Sequence, residues 1–377
     1  MDFELPADDD PRRIAVRAWL AEHPDPSPSV LQEAGYVVPH WPAPWGLGAD
    51  PMHQLVIADE LDRAGVKRPE NPIGIGWAGP TILAAGTPEQ QRRWLPALLT
   101  GEDFWCQLFS EPDAGSDLAN LRTTAVRDGD TWVINGSKIW SSGAHHSRWG
   151  ILLARSDPDA PKHRGISYFV LPMDAEGVEV QPLLHLTGKH DFNQCFFTDV
   201  RIPADHLIGA EGEGWRLANV TLANERVSLS TGGVLWGMGP TTDQFFAVVR
   251  AQGGIGDPKL RQEAAKVYSE GFVLRLLGYR VLTAAVRGDG PGPEVSVKKA
   301  KGDVHGQRLM TLAARLAGPE ALTAEWGPLG ADAAQSWGTW QWGSLFSRAL
   351  TIGGGTTEVQ KGIIGERLLG LPREPRP

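Results

Sequence analysis

A change of texture along the chain, from helical to strand-like and back, constrains the fold more than any single motif. Residues 11–104 read as helices separated by Pro/Gly-rich joints, over 11–22, 50–64, 74–85 and 88–99. Thr87 followed by Pro88 supplies an N-cap and a first-turn proline for the last of these. From about residue 104 to 211 the runs 123–127, 131–134, 150–154, 166–172, 178–182 and 194–200 are rich in β-branched and aromatic residues. Turn signals such as Asp128-Gly129-Asp130 and Asn135-Gly136 separate them. From Gly214 onward the pattern is helical again, over 214–251, 257–287, 295–316, 333–350 and 357–369. Gly253-Gly254 closes one piece, and Asp257-Pro258 opens the next. Strands grouped together rather than alternating with helices argue against a Rossmann-type parallel sheet. The expected fold class is α+β: a helical region, a small β-barrel or sandwich, then a helical bundle. The expected domains are 1–105, 106–213 and 214–377.

Composition narrows the function classes. Thirty-six basic against 45 acidic residues leave a net charge of −9, the opposite of a nucleic-acid-binding balance. The two cysteines, Cys106 and Cys195, form neither a disulfide framework nor a metal-ligand spacing, which suits a reducing compartment. No apolar run reaches the ~18 residues a membrane helix needs. The acidic opening lacks the basic and apolar regions of a signal peptide. A cytoplasmic protein without membrane or nucleic-acid partners is the expectation. Fifteen tryptophans against four tyrosines are the anomaly, and composition alone does not say whether they pack or function. Residues 39–51, crowded with Pro, Gly and Trp, read as an ordered loop.

Four segments can carry chemistry. Ser110-Glu111-Pro112-Asp113-Ala114-Gly115-Ser116-Asp117 gathers hydroxyls, amides and a glycine, able to present donors to an anion or polar ring; such loops are also common as plain turns. Asn135-Gly136 reads as a hairpin turn, so that Lys138 to Ser142 begin a strand carrying Trp140 and two serines. Those residues fit a flat face beside hydroxyl donors, and equally a core Trp at a polar strand end. His145 and His146 would point to opposite sides of a strand, so a metal role is set aside. Leu222-Ala223-Asn224-Glu225-Arg226-Val227 lies in a helix. Burial there would raise Glu225 above the ~4.3 of a free glutamate and make it a proton acceptor; a surface Glu beside an Arg is the competing reading. Ile352-Gly353-Gly354-Gly355-Thr356-Thr357-Glu358 opens a helix with amides and little bulk, but without a P-loop lysine.

In this order and at these separations, the segments resemble the acyl-CoA dehydrogenase family across nearly the whole chain. Residues 110–117 look like its Thr/Ser-Glu-Pro-x-x-Gly-Ser-Asp signature, 135–142 like Asn-Gly-x-Lys-x-Trp-Ile-Thr, and 355–358 like Gly-Thr-x-Glu/Gln. The ending Glu366-Arg367-Leu368-Leu369-Gly370-Leu371-Pro372 is similar to many bacterial members, especially actinobacterial ones. The resemblance implies a C-terminal four-helix bundle, FAD as cofactor, and oxidation of an acyl-CoA thioester to its 2,3-enoyl form. Many members place the catalytic carboxylate just before Gly-Thr, where this chain has Gly354. Others place it in a Glu-Arg pair on the first long bundle helix, which matches Glu225-Arg226. Glu225 is therefore the expected base, with Arg226 lining the substrate cavity.

The same resemblance assigns Ser110 and Ser142 as hydroxyl partners of the flavin ring and Trp140 as its packing partner. Backbone groups of Gln107 and Phe109 would face the ring, and Gly115 and Ser116 its edge or the thioester. Thr356 and Glu358 match positions on the phosphate or adenosine side, while Gly354 and Gly355 border the substrate. The room left by 353–355 favours bulky or branched acyl groups. The expected electron acceptor is an electron-transfer flavoprotein, and the expected assembly a homo-oligomer or a heterotetramer with a related subunit. Related actinobacterial proteins include subunits of mixed tetramers, some acting on steroid side-chain thioesters. Two family elements for the adenosine end of FAD are replaced here, at 252–258 and 316–322. An oxidase of the same fold and a non-catalytic subunit are the alternatives. Among the other tryptophans, Trp105 would brace the first flavin loop; Trp326, Trp337, Trp340 and Trp342 would pack in the bundle or an interface.

Overall fold

The structure is a computed structural model and describes residues 6–231, 235, 240–251, 253–286, 292–319 and 337–373. Helices α1 (Pro11–Glu22), α2 (Pro28–Glu33), α3 (Pro51–Arg63) and, after α4 (Gly79–Ala85), α5 (Pro88–Thr100) occupy the N-terminal region. All but α4 start with the same local device. Asp10, Ser27, Asp50 and Thr87 each accept a first-turn amide, and a proline follows where no amide is needed. The six-residue α2 escapes the sequence reading because so short a helix carries little periodicity. Residues 74–85 form a π-helical turn, Gly74–Ala78, leading into α4. The loop 39–51 is ordered around buried Trp41 and Trp45, and Leu47 and Ala49 donate back to the Pro39 carbonyl at 3.1 and 2.8 Å.

The strands are β1 (Trp105–Leu108), β2 (Thr124–Asp128), β3 (Thr131–Ser142), β4 (Trp149–Arg155), β5 (Ile166–Pro172), β6 (Val178–Leu183), β7 (Phe192–Pro203) and β8 (Leu207–Ile208). They join one mixed sheet in the order β6-β7-β3-β2-β4-β5-β8, with β1 running parallel to β4. Cys106, Trp132, Leu152, Phe169, Phe197 and Val200 are among its core residues. The Gly129-Asp130 turn joins β2 to β3 as expected. Asn135-Gly136 does not turn the chain; β3 continues through it with a register shift against β7. The dipeptide serves a bulge instead, because Asn135 grips Asp199 through its side-chain nitrogen and oxygen at 3.0 and 2.9 Å. A side chain at Gly136 would meet Thr123 at 2.6 Å.

Contacts divide the chain into two compact units, Met1–Leu184 with His190–Thr221, and Leu222–Pro377 with His185–Lys189. The first holds the N-terminal helices and the sheet; the second is helical. Helix α6 (Gly214–Thr231) begins in the first unit and ends in the second. The second unit continues with α7 (Thr242–Ala251), α8 (Pro258–Val286), α9 (Glu294–Ala317), α10 (Trp337–Phe346) and α11 (Thr357–Ile363). Helix α9 packs against α8, α10 and α11. The single helix expected over 214–251 is interrupted: Leu235 lies in a turn and residues 240–241 are non-helical before α7 starts at Thr242. Among the described residues, no helix is long and apolar enough to cross a membrane.

Candidate active site

In the sheet-containing unit, two of the sequence segments meet. The Ser110 carbonyl accepts from the Ile139 amide at 2.9 Å, so the 110–117 loop lies along β3. Beside that bond lies a buried ion pair that sequence reasoning missed. Lys138 is 0% exposed, and its Nζ donates to Glu111 Oε1 at 2.7 Å and to the Phe109 carbonyl at 3.0 Å. The Glu111 carboxylate also accepts the Arg122 and Thr123 amides at 2.6 and 2.9 Å. Burial pulls the Lys138 ammonium down to about 8, against the opposing pull of Glu111. Burial pushes Glu111 up, but the Lys138 charge and the donated hydrogen bonds outweigh it and hold the carboxyl below its ordinary value. No local signal marks the pair, because its members are 27 residues apart.

The other expected residues of this unit fall around that pair. Gln107 lies on β1, opposite Ile151. The Phe109 ring is buried edge-on to Tyr168, 6.0 Å between centroids, while its carbonyl is turned to Lys138. Ser110 and Ser142 are half-buried; Gly115 and Ser116 are exposed, with open space where a Gly115 side chain would stand. Trp140 is the outlier, with a positive φ of 64° at a second register shift of β3. Trp140 is 59% exposed, and its ring meets Phe192 edge-on at 6.2 Å between centroids. A bulky residue held in the left-handed region costs on the order of 1–3 kcal/mol, and such strain marks functional positions. Here it turns a large aromatic face outward. His145 and His146 lie in a 3-10 turn rather than on a strand. Among the described residues, no group of three metal-ligating side chains forms.

Helix α6 is fixed near its middle. The Thr221 hydroxyl bonds Tyr168 at 3.1 Å and Thr81 at 2.8 Å, tying α6 to β5 and α4 in the first unit. Glu225, one turn later in the second unit, is 6% exposed, so the surface reading does not hold. The Arg226 side chain lies outside the described residues.

The glycine loop of the second unit is held by a residue the sequence reading passed over. Gln360, 1% exposed, donates through Nε2 to the carbonyls of Gly354 and Gly355 at 3.2 and 3.4 Å. Gly354 and Gly355 have φ of 64° and 85°, and a Gly355 side chain would strike the Gln360 amide at 2.6 Å. Thr356 caps α11, its hydroxyl accepting from Val359, and Glu358 is exposed in the first turn. Among the described residues, Gln360 Oε1 and Thr357 Oγ1 are buried without a hydrogen-bond partner. Unpartnered buried oxygens are costly, so this loop is suited to a ligand that brings donors. In the first unit, the exposed aromatic face at Trp140 suits a planar partner. Of the tryptophans, Trp105, Trp340 and Trp342 are buried; Trp342 stacks on Phe346, 4.9 Å away. Trp326 and the Trp337 side chain lie outside the described residues.

Three family profiles match the chain in order: acyl-CoA dehydrogenase N-terminal domain over residues 13–102, middle domain over 106–200 and C-terminal domain over 212–369. The chain is 42% identical to acyl-CoA dehydrogenase FadE34 of Mycobacterium tuberculosis over 96% of its own length. It spans 48% of that relative, about half its length. With acyl-CoA dehydrogenase IpdE1 of the same species it shares 37% identity over 91% of this chain and 87% of the other. Among solved structures, the Tcur3481-Tcur3483 steroid ACAD is similar with a TM-score of 0.79 at 29% identity, covering 99% of this chain and 100% of that one.

Proposed function

The chain belongs to the acyl-CoA dehydrogenase family, and on that premise we propose that it forms a 2,3-enoyl-CoA from an acyl-CoA, with Glu225 as base and FAD as cofactor. The observation that carries this reading is a carboxylate buried on α6 in a chain whose other family position for the base is Gly354. A buried, positioned carboxylate is what removal of a weakly acidic α-proton requires. FAD, when bound, supplies the acceptor for the β-hydride. Trp140 offers the ring a packing face, Ser110 and Ser142 offer hydroxyls, and Gln107 and Phe109 flank the same segment. Gly115 and Ser116 lie where the ring edge and thioester would be. In the second unit, Thr356 and Glu358 are the proposed residues for the phosphate or adenosine side of FAD, and Arg226, Gly354 and Gly355 those for the substrate.

We assign a bulky acyl group, supported by the side-chain-free loop at 353–355 and by likeness to a structure named a steroid ACAD. An electron-transfer flavoprotein is the proposed acceptor, and the proposed domains end near 105 and 213. Tyr268, Phe272, Val273 and Leu276 form an exposed apolar stripe at helical spacing on α8, which supports assembly with a second copy or a related subunit. The half-length match to FadE34 favours the related subunit. Two unpaired, buried cysteines suit the cytoplasm.

The test is anaerobic mixing of the flavin-loaded protein with acyl-CoA thioesters of different bulk. Wild type should lose its flavin colour, most readily with a bulky acyl group. Glu225→Gln should keep bound flavin and bleach roughly 10²–10⁴-fold more slowly. An unchanged rate in the variant would overturn the assignment, and rapid recovery of colour in air would indicate an oxidase.

A further inference from the structure

We propose that the buried Glu111–Lys138 pair is a positioning device that sets Ser110 and the Trp140–Ser142 end of β3 as one wall before the flavin arrives. The inference rests on the FAD reading above and goes beyond it in naming residues that touch neither ring nor substrate. Its basis is the way the bonds interlock. Consecutive carbonyls, of Phe109 and Ser110, accept from consecutive residues, Lys138 Nζ and Ile139 N, at 3.0 and 2.9 Å. Glu111 closes the arrangement, taking Lys138 on Oε1 and the amides of Thr123 and Arg122 on Oε1 and Oε2. Three chain segments therefore converge on two side chains. Ser110 is pinned by its own carbonyl and by both neighbours, and Trp140 follows two residues after the buried ammonium.

A simple contribution to folding does not account for the pair. Two charges buried this deeply gain little over an uncharged pair of similar volume, because desolvation consumes most of their attraction. What they do supply is direction: a fully bonded ammonium and carboxylate fit one geometry, and apolar groups tolerate several. A wall that must present hydroxyls and one aromatic face to a rigid ring gains from that restriction.

The decisive variant replaces both charges, Glu111→Gln with Lys138→Met, which leaves no buried charge and keeps an acceptor oxygen for one of the two amides. We expect it to stay folded, with a thermal midpoint that falls less than that of Glu111→Gln alone, in which the buried ammonium is stranded. FAD should bind more than fivefold more weakly by fluorescence titration, and the visible band of the bound flavin should shift. A folded double variant that binds FAD within fivefold of wild type overturns the positioning role. A second measurement uses only the wild-type chain, with FAD and after its removal. The Thr123 and Ile139 amides should exchange slowly with deuterium in both states; protection that appears only with FAD overturns the proposal. Wild-type protein that takes up no FAD would instead overturn the flavin reading, so the two failures are distinguishable.

Discussion

Among the described residues, each unit contains a buried lysine–carboxylate pair at 2.7 Å, and the two are built on opposite principles. Glu111 and Lys138 join segments far apart in sequence, and the carboxylate has two amide donors besides the ammonium. Lys299 and Asp303 are four residues apart on α9, and Lys299 also donates to the Leu350 carbonyl at 3.3 Å. The carboxyl groups respond in opposite directions. Burial lifts Asp303 to about 6, with Lys299 only partly opposing it. Glu111 is also pushed up by burial, but its larger set of donors reverses the outcome. Contact distance alone therefore does not describe a buried pair. The number of hydrogen bonds held by the carboxylate decides whether its charge is supported. The Glu111 carboxylate has bonds on both oxygens, whereas the glycine loop of the helical unit rests on Gln360 and, among the described residues, leaves Gln360 Oε1 and Thr357 Oγ1 without a partner.

The largest expected break in this comparison comes from removing each carboxylate charge singly. Glu111→Gln strands a wholly buried ammonium and should cost about 3–5 kcal/mol. Asp303→Asn also deprives the buried Lys299 of its carboxylate, but it removes a charge that burial itself opposes, and should cost about 1–3 kcal/mol. Urea unfolding of both variants at neutral pH measures the two losses, and an equal or reversed order would remove the distinction.

A smaller effect separates strain from packing. Trp140→Gly suits the backbone at φ 64° and removes a ring that is mostly exposed. Stability should therefore stay within about 1 kcal/mol of wild type, since relieved strain offsets the entropy of a new glycine. Trp340→Ala, at a ring with no exposure in the helical unit, should cost about 3–5 kcal/mol. FAD affinity should fall at least tenfold in the first variant. A Trp140→Gly protein that loses as much stability as Trp340→Ala would show that Trp140 is ordinary packing.

The features legible in the sequence are those whose physics is local. Asp10-Pro11, Asp50-Pro51 and Thr87-Pro88 announce their helices because cap and proline act within one turn. The Ser110, Trp140 and Gly355 segments stand out because glycines and hydroxyls cluster over a few residues. Asn135-Gly136 misleads because a turn and a bulge call for the same residues, and only pairing with β7 selects the bulge. Glu111, Lys138 and Gln360 pass unnoticed because each acquires its role from partners that the fold brings in. Glu225 shows the limit most plainly: helical spacing places it on α6, but its burial depends on packing that the spacing does not specify.

The finest distinction between the two pairs is the sign of their response to acid. Asp303 has a folded value of about 6, above its ordinary 3.8, so the folded chain takes up this proton first. Its ionisation penalty is full above about pH 6 and disappears toward 3.8, and acid should stabilise the fold at this site. Glu111 is held below its ordinary 4.5, so the unfolded chain takes up that proton first. The stability it contributes is present above 4.5 and lost as pH falls through the folded value. Urea midpoints of wild type, Asp303→Asn and Glu111→Gln between pH 7 and 4 test both signs. Relative to Asp303→Asn, wild type should gain stability from pH 7 to 5, by roughly 1 kcal/mol. Relative to Glu111→Gln it should lose stability below 4.5, as the carboxylate that Arg122, Thr123 and Lys138 all bond takes up a proton. Two differences that move in the same direction would mean that carboxylate hydrogen bonding does not distinguish the pairs.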